Sequence, residues 1–298
     1  GRIIAPGFVD MHIHYPQTNV IGSPADGLLP WLENYTFPEE KRFTAPEYSA
    51  QAASFFIAEL QRNGVTTALT FATSHTDSVN ALFTEAQAQR MRIITGLCLM
   101  DRNAPADLLN QGQGTVGATE QSLRDTEALI QRWHGKGRLG YAITPRFAPT
   151  CSEAQLRGAG DLARQYPSVW IQSHVAENKD EITWARELFP QSRSYLATYD
   201  DFGLMRSRAV YAHCIHFDDA DRALAAARVA EAAARRRDRR QPHRTVHRAL
   251  CAGRAARQCA RGPRGLRAQC RTRRRGRTRR QRRPRSRPTQ PRRAADAR

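Results

Sequence analysis

Pro6-Gly7-Phe8-Val9-Asp10-Met11-His12-Ile13-His14 is a short hydrophobic run that ends in two histidines two residues apart. Alternate side chains of a β-strand point to the same face of its sheet. We therefore predict a strand whose end projects both imidazoles together, close enough to bind one metal ion. Taken alone, the motif is equally consistent with a pair of exposed strand histidines.

Five further apolar runs follow, with amphipathic stretches between them. The six predicted strands cover residues 8–12, 65–71, 93–99, 139–144, 169–174 and 209–213. Such short continuous apolar runs are typical of parallel strands that are buried on both faces. The clearest predicted helix has Thr44 as its N-cap and ends at Gly64. Further helices are predicted at roughly 78–90, 119–133, 152–166 and 178–188.

This alternation favours an α/β fold of the TIM-type (β/α)8 barrel over an open doubly wound sheet. An open sheet that binds a dinucleotide would carry Gly-x-Gly-x-x-Gly after its first strand, and His-x-His stands there instead. In a barrel, the chemistry lies at the carboxyl ends of the strands. Only about six βα units are present, and the sequence after about Leu224 supplies no further strand. We therefore expect an incomplete barrel.

The basic charge of the chain lies in its last part. The formal net charge is +19, but residues 228–298 hold 27 arginines, no lysine and three acidic residues, whereas residues 1–227 are mildly acidic. The last part has no aromatic residue and few large aliphatic ones, too little apolar surface to offset the ~1–2 kcal/mol per residue that ordering a backbone costs. We predict a partial barrel over residues 1–227 and a disordered, low-complexity, arginine-rich tail over residues 228–298.

Two origins of this tail stay open. Ala, Arg, Gly and Pro dominate it, and all four have GC-rich codons, so it fits GC-rich DNA translated out of frame. The alternative is a genuine arm that binds nucleic acid nonspecifically by counterion release. Arms that bind single strands usually interleave aromatic residues, which this tail lacks. The arm hypothesis predicts salt-dependent RNA binding that disappears on truncation at about Arg228.

The remaining composition indicates a reducing environment. The six cysteines form no Cys-x-x-Cys pair, and the sequence shows no signal peptide and no apolar run of membrane-spanning length. We expect a cytoplasmic protein with no membrane partner.

Other strand ends also carry chemically active side chains. His174 ends the fifth run with Glu177 three residues later, and His213 ends the sixth. Three neutral imidazoles (His12, His14 and His174) predict a zinc site with an open position for water. Glu177 would then shuttle protons and His213 would orient the water. For any single histidine, a hydrogen-bonded core residue is the alternative.

Five longer motifs are more specific. They are Pro-Gly-Phe-Val-Asp-x-His-Ile-His-Tyr-Pro-Gln (6–17), Trp31-Leu32-x-x-Tyr35-Thr36-Phe37-Pro38-x-Glu40, Met100-Asp101-Arg102-Asn103-Ala104-Pro105, Tyr141-Ala142-Ile143-Thr144-Pro145-Arg146-Phe147-Ala148-Pro149-Thr150 and Glu177-Asn178. Together they resemble the guanine deaminases of the amidohydrolase superfamily, from residue 1 to about residue 222.

The resemblance implies that a zinc-activated water attacks C2 of guanine and expels ammonia to leave xanthine, a step of purine catabolism. It implies zinc ligation by His12, His14 and His174, catalysis by Glu177 and His213, and purine contacts from Gln17, Arg146 and Phe147. Arginine and glutamine can hydrogen-bond the purine edge, and phenylalanine can stack on its face. The family's habit of dimerising adds the expectation of a homodimer. Deamination of another aminated heterocycle, such as a triazine or a pterin, stays open.

The chain departs from the family near its two ends. The family has an Asp that ligates the metal in a Gly-Thr-Asp context after its eighth strand, and this sequence contains no Gly-Thr-Asp. A segment resembling Cys-Pro-Thr-Ser-Asn is also missing, and Gly1 lies so near the first strand that the family's small β-sandwich is not expected. Removal of one member of a catalytic unit costs orders of magnitude in rate. We therefore expect an inactive or weakly stable polypeptide.

Overall fold

A computed structural model describes residues 4–240 of the chain, and it describes side chains for residues 4–231. The strands form one sheet. Within that range the strands are β1 (Phe8–His14), β2 (Val65–Phe71), β3 (Arg92–Thr95), β4 (Cys98–Leu99), β5 (Gly140–Pro145), β6 (Trp170–Val175) and β7 (Ala209–His213). All the pairings are parallel, in the order β1-β2-β3-β5-β6-β7, with β4 beside β5.

Helices connect successive strands. The α-helices of the described range are α1 (Leu28–Trp31), α2 (Phe37–Lys41), α3 (Pro46–Arg62), α4 (Thr76–Ala88), α5 (Ala118–Trp133), α6 (Glu153–Gln165), α7 (Lys179–Leu188), α8 (Tyr195–Asp201) and α9 (Asp219–Arg240). Short 3-10 turns cover Tyr15–Val20, Arg42–Thr44, Ala106–Leu108 and Ala148–Thr150, and a π-helical turn covers Leu32–Thr36.

The sheet curls into a nearly closed barrel. β1 and β7 lie at opposite ends of the strand order, yet the ring of His12 on β1 is 5.1 Å from the ring of His213 on β7. The predicted barrel fold with about six βα units is therefore confirmed. The structure has seven strands rather than six because the third predicted strand divides in two.

That division follows from a close approach of two backbones. The prediction of one strand over residues 93–99 is wrong, since β3 ends at Thr95 and β4 begins at Cys98. A Cβ atom placed on Gly96 would lie 1.8 Å from the carbonyl oxygen of Ala142 on β5. Only glycine permits this contact.

The core lies between the outer face of the sheet and the helices. Side chains such as Ile57 of α3, Leu82 of α4 and Ile143 of β5 are fully buried there. On the opposite face of the sheet a smaller cluster of Leu69, Ile94 and Ala142 fills the barrel interior. Alternate residues of one strand thus serve two cores, as expected for a parallel sheet that is covered on both faces.

The helix predictions were partly right. α4 to α7 lie within two residues of the predicted ends. The predicted N-cap of α3 is wrong, because Ala45 occupies that position and the Thr44 hydroxyl donates to the carbonyl oxygen of Lys41. The short helices α1, α2 and α8 were not predicted.

The last helix crosses the predicted domain boundary. α9 continues through residue 228 to Arg240, so the expectation of disorder from residue 228 is wrong for residues 228–240. The predicted division of the chain into a partial barrel over residues 1–227 and a tail over residues 228–298 stays a prediction. The rest of the predicted tail, residues 241–298, lies outside the described residues.

No helix of the described range is both long enough and apolar enough to cross a lipid bilayer.

We expect Gly96→Ala to lower the free energy of unfolding by about 3 kcal/mol or more, since the new methyl group would collide with backbone that cannot move without breaking the β3–β5 pairing. Gly117→Ala is the matched control, because a Cβ at Gly117 meets no atom within 4 Å. That substitution should change stability by less than about 1 kcal/mol. Urea unfolding of both variants measures the difference, and equal stabilities would contradict the close approach.

Candidate functional site

Four imidazoles converge at the carboxyl ends of three strands. His12 and His14 come from β1, His174 from β6 and His213 from β7. The described ring pairs among them have centroids 4.9 to 5.4 Å apart. One nitrogen each of His12, His174 and His213 lies within 4.8 Å of the others, the spacing of groups that can share a metal ion.

A hydrogen bond defines the tautomer of one of these rings. His174 Nδ1 is 2.6 Å from the carbonyl oxygen of Arg146, which can only accept, so His174 carries its proton on Nδ1. Its Nε2 is then a free lone pair, 2.9 Å from Nε2 of His14. A neutral His174 therefore presents a ligand nitrogen to the centre of the cluster.

Burial keeps the cluster uncharged. Desolvation, and then repulsion from His213, lowers the pKa of His12 to about 4. Desolvation together with the neighbouring imidazoles lowers the pKa values of His14 and His174 well below 6.5. Phe71, at the end of β2, lies under the rings and stacks on His14 with centroids 4.5 Å apart. This apolar floor is part of the reason why water does not stabilise the charged forms.

These residues fit a divalent transition metal. Imidazole nitrogen suits zinc, iron, copper and nickel, and the metal requires the neutral ring that burial enforces here. The backbone carbonyl that accepts from His174 Nδ1 is the usual outer partner of a metal-binding histidine. The described residues thus include a group of histidines that could hold a metal ion, and its donor set alone does not select one of these metals.

An acid lies beside this cluster. The Glu177 carboxylate approaches Nε2 of His213 to 3.2 Å. Burial, and secondarily the negative charge of Glu181, raises the pKa of Glu177 to about 7. Glu181 is itself buried and accepts hydrogen bonds from the backbone N–H of Glu177 and from the Tyr195 hydroxyl. A carboxyl with such a pKa can both accept and donate a proton near neutrality.

Two residues with left-handed backbone conformation lie where Glu177 and His213 enter the cavity. Ala176, between β6 and Glu177, has a φ of 53°, and His213 itself has a φ of 75°. Non-glycine residues adopt this region at a cost of about 1–3 kcal/mol, and such strain clusters at functional sites. The chain therefore turns sharply at both strand ends, where the acid and the imidazole are presented.

A buried ion pair forms another wall. Arg146, which follows β5, donates through both terminal nitrogens to Glu40 of α2, and both side chains are almost completely buried. The Gln17 amide nitrogen lies 3.1 Å from Nδ1 of His14 and 3.4 Å from Oε1 of Glu40. Phe147 packs edge-to-face against Trp184 at 6.0 Å.

One cavity of about 220 Å³ brings all eight predicted site residues together. They are His12, His14, Gln17, Arg146, Phe147, His174, Glu177 and His213. The volume lies below the ~300–1,000 Å³ that is typical of sites for drug-sized molecules, so the cavity suits a small compound.

Several residues of the site were missed from the sequence. Leu28, Trp31 and Leu32 form an apolar wall, and Glu181 lines the cavity beside Glu177. The spacing Asn178-x-x-Glu181 is a capping box, which the structure contains at the start of α7 and which a search for helix starts could have found. Trp31 and Leu32 of the wall open one of the quoted motifs, which gave them no role, and Leu28 lies outside every motif.

We expect the metal-free protein to lose stability as the pH falls from about 6.5 towards 4. The unfolded chain binds protons on His14 and His174 near their ordinary pKa of 6.5, whereas the folded state keeps both neutral, so acid favours unfolding. Each adds at most about 1.4 kcal/mol per pH unit. The raised pKa of Glu177 acts in the opposite direction, because the folded state binds up to one more proton on this carboxyl than the unfolded chain does, and so partly offsets the loss of stability.

Urea unfolding in the presence of a chelator measures this dependence. His14→Gln removes one titrating group, so its slope should be smaller by about one proton. An unfolding free energy that is constant between pH 7 and pH 5 would contradict the buried, neutral cluster.

Known proteins were compared with this chain. A guanine deaminase of Escherichia coli (strain K12) is 48% identical over 219 residues, which are 74% of this chain and 48% of that protein. The solved guanine deaminase of Bradyrhizobium japonicum has a TM-score of 0.71 at 34% identity and covers 75% of this chain and 47% of its own. The guanine deaminase of C. acetobutylicum, solved with guanine bound in its active site, has a TM-score of 0.69 at 36% identity and covers 74% and 51%.

The chain spans about half the length of the curated relatives it matches. Residues 3–255 match the model of the amidohydrolase family. That match covers most of the sequence and includes every strand that gathers the histidines. The chain therefore belongs to the amidohydrolase family.

Proposed function

We propose that this site binds zinc and hydrolytically deaminates guanine, which gives xanthine and ammonia. One cavity holds the imidazole cluster, the Glu177–His213 pair and a wall of arginine, glutamine and phenylalanine, and this convergence carries the proposal. The names of the relatives at 34–48% identity support guanine as the substrate.

His12, His14 and His174 would hold the metal, as the neutral state of these rings allows. His12 and His174 belong to the group with metal-sharing spacing, and Nε2 of His14 lies 2.9 Å from Nε2 of His174. When bound, zinc lowers the pKa of a water molecule to near 7 and so supplies a hydroxide nucleophile at neutral pH. Neutral His213 hydrogen-bonds and orients the attacking water, since burial lowers its pKa.

Glu177 moves the proton. Its carboxylate accepts a proton from the water that attacks C2 and delivers it to the departing amino group, which leaves as ammonia. A pKa of about 7 suits both halves of this transfer, because the acid and its conjugate base are then both populated at neutral pH. Glutamine at this position would preserve the shape of the side chain and abolish the transfer.

Arg146, Gln17 and Phe147 recognise the purine. Arg146 has five N–H donors and spends only part of them on Glu40, so the others can serve the O6 and ring-nitrogen edge of guanine. The Gln17 amide adds a second polar contact, and the Phe147 ring offers a face for stacking. A neutral planar ring system fits this mixture of few polar groups and apolar walls.

Turnover by this chain alone is proposed to be slow. The sequence holds no Gly-Thr-Asp, the context in which the resembled family carries a further metal ligand that takes a proton from the water. Loss of one member of such a unit costs orders of magnitude in rate while binding persists. Homodimer formation and a cytoplasmic location stay predictions.

Guanine conversion tests the proposal directly. The purified, zinc-loaded chain is incubated with guanine and xanthine is quantified by chromatography, beside the E. coli relative. We expect guanine to bind and turnover to lie orders of magnitude below that of the relative. Glu177→Gln should reduce the remaining rate by about 100-fold or more, whereas Glu187→Gln, at an exposed position of the helix α7 that follows Glu177, should not change it.

Three results would count against it. If zinc-loaded protein neither binds nor converts guanine, the substrate assignment fails. Faster conversion of a triazine or pterin than of guanine would favour the alternative substrate class. A rate equal to that of the relative would contradict the importance of the missing aspartate.

A further inference from the structure

Glu177 lies on a sharp turn of the chain between β6 and α7. Ala176, the residue before it, has a left-handed backbone conformation with a φ of 53°. Non-glycine residues keep such a conformation only where the surrounding structure holds it in place. The direction in which the Glu177 carboxylate points therefore depends on the contacts that fix this turn.

The backbone that follows β7 fixes one side of the turn. The carbonyl oxygen of Ala176 accepts from the backbone N–H groups of Ile215 and His216, both at 3.1 Å. The N–H of Cys214 donates to the carbonyl oxygen of Val175 at 3.0 Å. These bonds engage carbonyl groups of the turn, so the N–H groups of the turn need a different partner.

That partner is Glu181, in the first turn of α7. Its Oε2 accepts from the backbone N–H of Glu177 at 3.0 Å and from that of Asn178 at 3.2 Å. Its Oε1 accepts from the Tyr195 hydroxyl at 2.7 Å, and this hydroxyl also lies 3.3 Å from the carbonyl oxygen of His174. Both Glu181 and Tyr195 are buried. One carboxylate thus connects the turn to α8 and to the end of β6.

A helix cap alone does not account for this arrangement. The bond between Glu181 and the N–H of Asn178 belongs to the capping box of α7. The bond to the N–H of Glu177 lies one residue outside that motif, and the Tyr195 hydroxyl adds a contact to a different helix. Both additional bonds act on the turn rather than on α7.

We propose that Glu181 is a positioning residue that holds the Glu177 carboxylate towards His213 by hydrogen-bonding the backbone N–H of Glu177. That carboxylate lies 3.2 Å from Nε2 of His213, and all three side chains line the same cavity. This role depends on the length of the Glu181 side chain rather than on its charge. The consequence for catalysis rests on the proposed function, whereas the anchoring of the turn does not.

Two substitutions separate length from charge. Glu181→Gln keeps the length of the side chain and an oxygen that accepts from the N–H groups, as glutamine does in capping boxes. Glu181→Asp keeps the negative charge but is one methylene shorter, so its carboxylate no longer reaches the N–H of Glu177. Asp180→Asn is the matched control, because Asp180 is the exposed preceding residue of α7 and this change also removes one negative charge.

The first readout is conversion of guanine by the zinc-loaded chain, with xanthine quantified over a range of guanine concentrations. We expect Glu181→Asp to lower kcat about 10- to 100-fold and to change KM less than about threefold, because a misdirected carboxylate impairs proton transfer but not purine binding. Glu181→Gln and Asp180→Asn should each keep kcat within about fivefold of the wild-type value.

The second readout does not depend on guanine. Hydrogen exchange at the backbone amides of Glu177 and Asn178 is followed by ¹⁵N NMR in the zinc-loaded protein. We expect both amides to exchange at least about tenfold faster in Glu181→Asp than in the wild-type protein, because they lose their acceptor. Glu181→Gln should keep the wild-type exchange rates.

The two readouts separate failure of this inference from failure of the proposed function. If the wild-type chain does not convert guanine but Glu181→Asp accelerates exchange at the two amides, the proposed function fails and the anchoring of the turn stands. If guanine is converted and Glu181→Asp leaves kcat unchanged, the positioning role is wrong and the function stands. An equal loss of kcat in Glu181→Gln and Glu181→Asp would also overturn the positioning role.

Glu181→Asp leaves two N–H groups without their acceptor and can destabilise the protein. Tyr195→Phe is the second variant, because it removes the hydroxyl that holds Oε1 of Glu181 and keeps the acceptor of both N–H groups. We expect it to lower kcat about three- to tenfold without a change in KM, since the carboxylate is then held less firmly. An unchanged kcat in Tyr195→Phe would overturn the inference.

Discussion

The parallel pairing of the strands is the constraint on which the whole site depends. Because neighbouring strands run in the same direction, their carboxyl ends meet at one edge of the sheet. His174 of β6 pairs with Ala212 of β7, which brings His213 one residue beyond it. The curl of the sheet then brings His12 of β1 against both of those rings. No loop has to carry a histidine into place.

Stability alone does not account for the buried pair of Glu40 and Arg146. The removal of each ion from water costs several kcal/mol, and replacement of such a pair by apolar residues is often neutral or stabilising. A surface pair such as Arg124–Glu120 bears no such cost and contributes little. The pair is better explained by orientation, since it holds a guanidinium and an amide in fixed directions beside a cluster of neutral rings.

The open side of the barrel lies between β1 and β7, the two strands that carry His12 and His213. Among the described strands, β1 pairs only with β2, and its side chains Phe8, Val9 and Met11 are 49–70% exposed. Trp170 and Val210, which pack against the small interior cluster, are only partly buried. The histidines nevertheless meet, because β1 is fixed by its pairing with β2, β7 by its pairing with β6, and β6 by strands on both sides. Assembly of the site and closure of the sheet are therefore separable.

The reactive side chains that line the cavity could be predicted from the sequence, whereas the hydrogen bonds that orient those side chains could not. Apolar runs ending in histidine predicted the strands and the imidazole cluster, since both strand burial and metal affinity leave a local pattern. The break at Gly96 left no such pattern, because it depends on how near β5 lies.

Glu39 and Glu40 show the limit most clearly. They are adjacent, chemically identical and both buried, yet Glu39 bonds Asn19 and Glu40 bonds Gln17, on the same turn that follows β1. Their different tasks arise only from how α2 docks on that turn. The motif Pro38-x-Glu40 singles out Glu40 and leaves position 39 open, but residue type and spacing do not say what either carboxylate bonds. Their partners become visible only where the two elements are seen together.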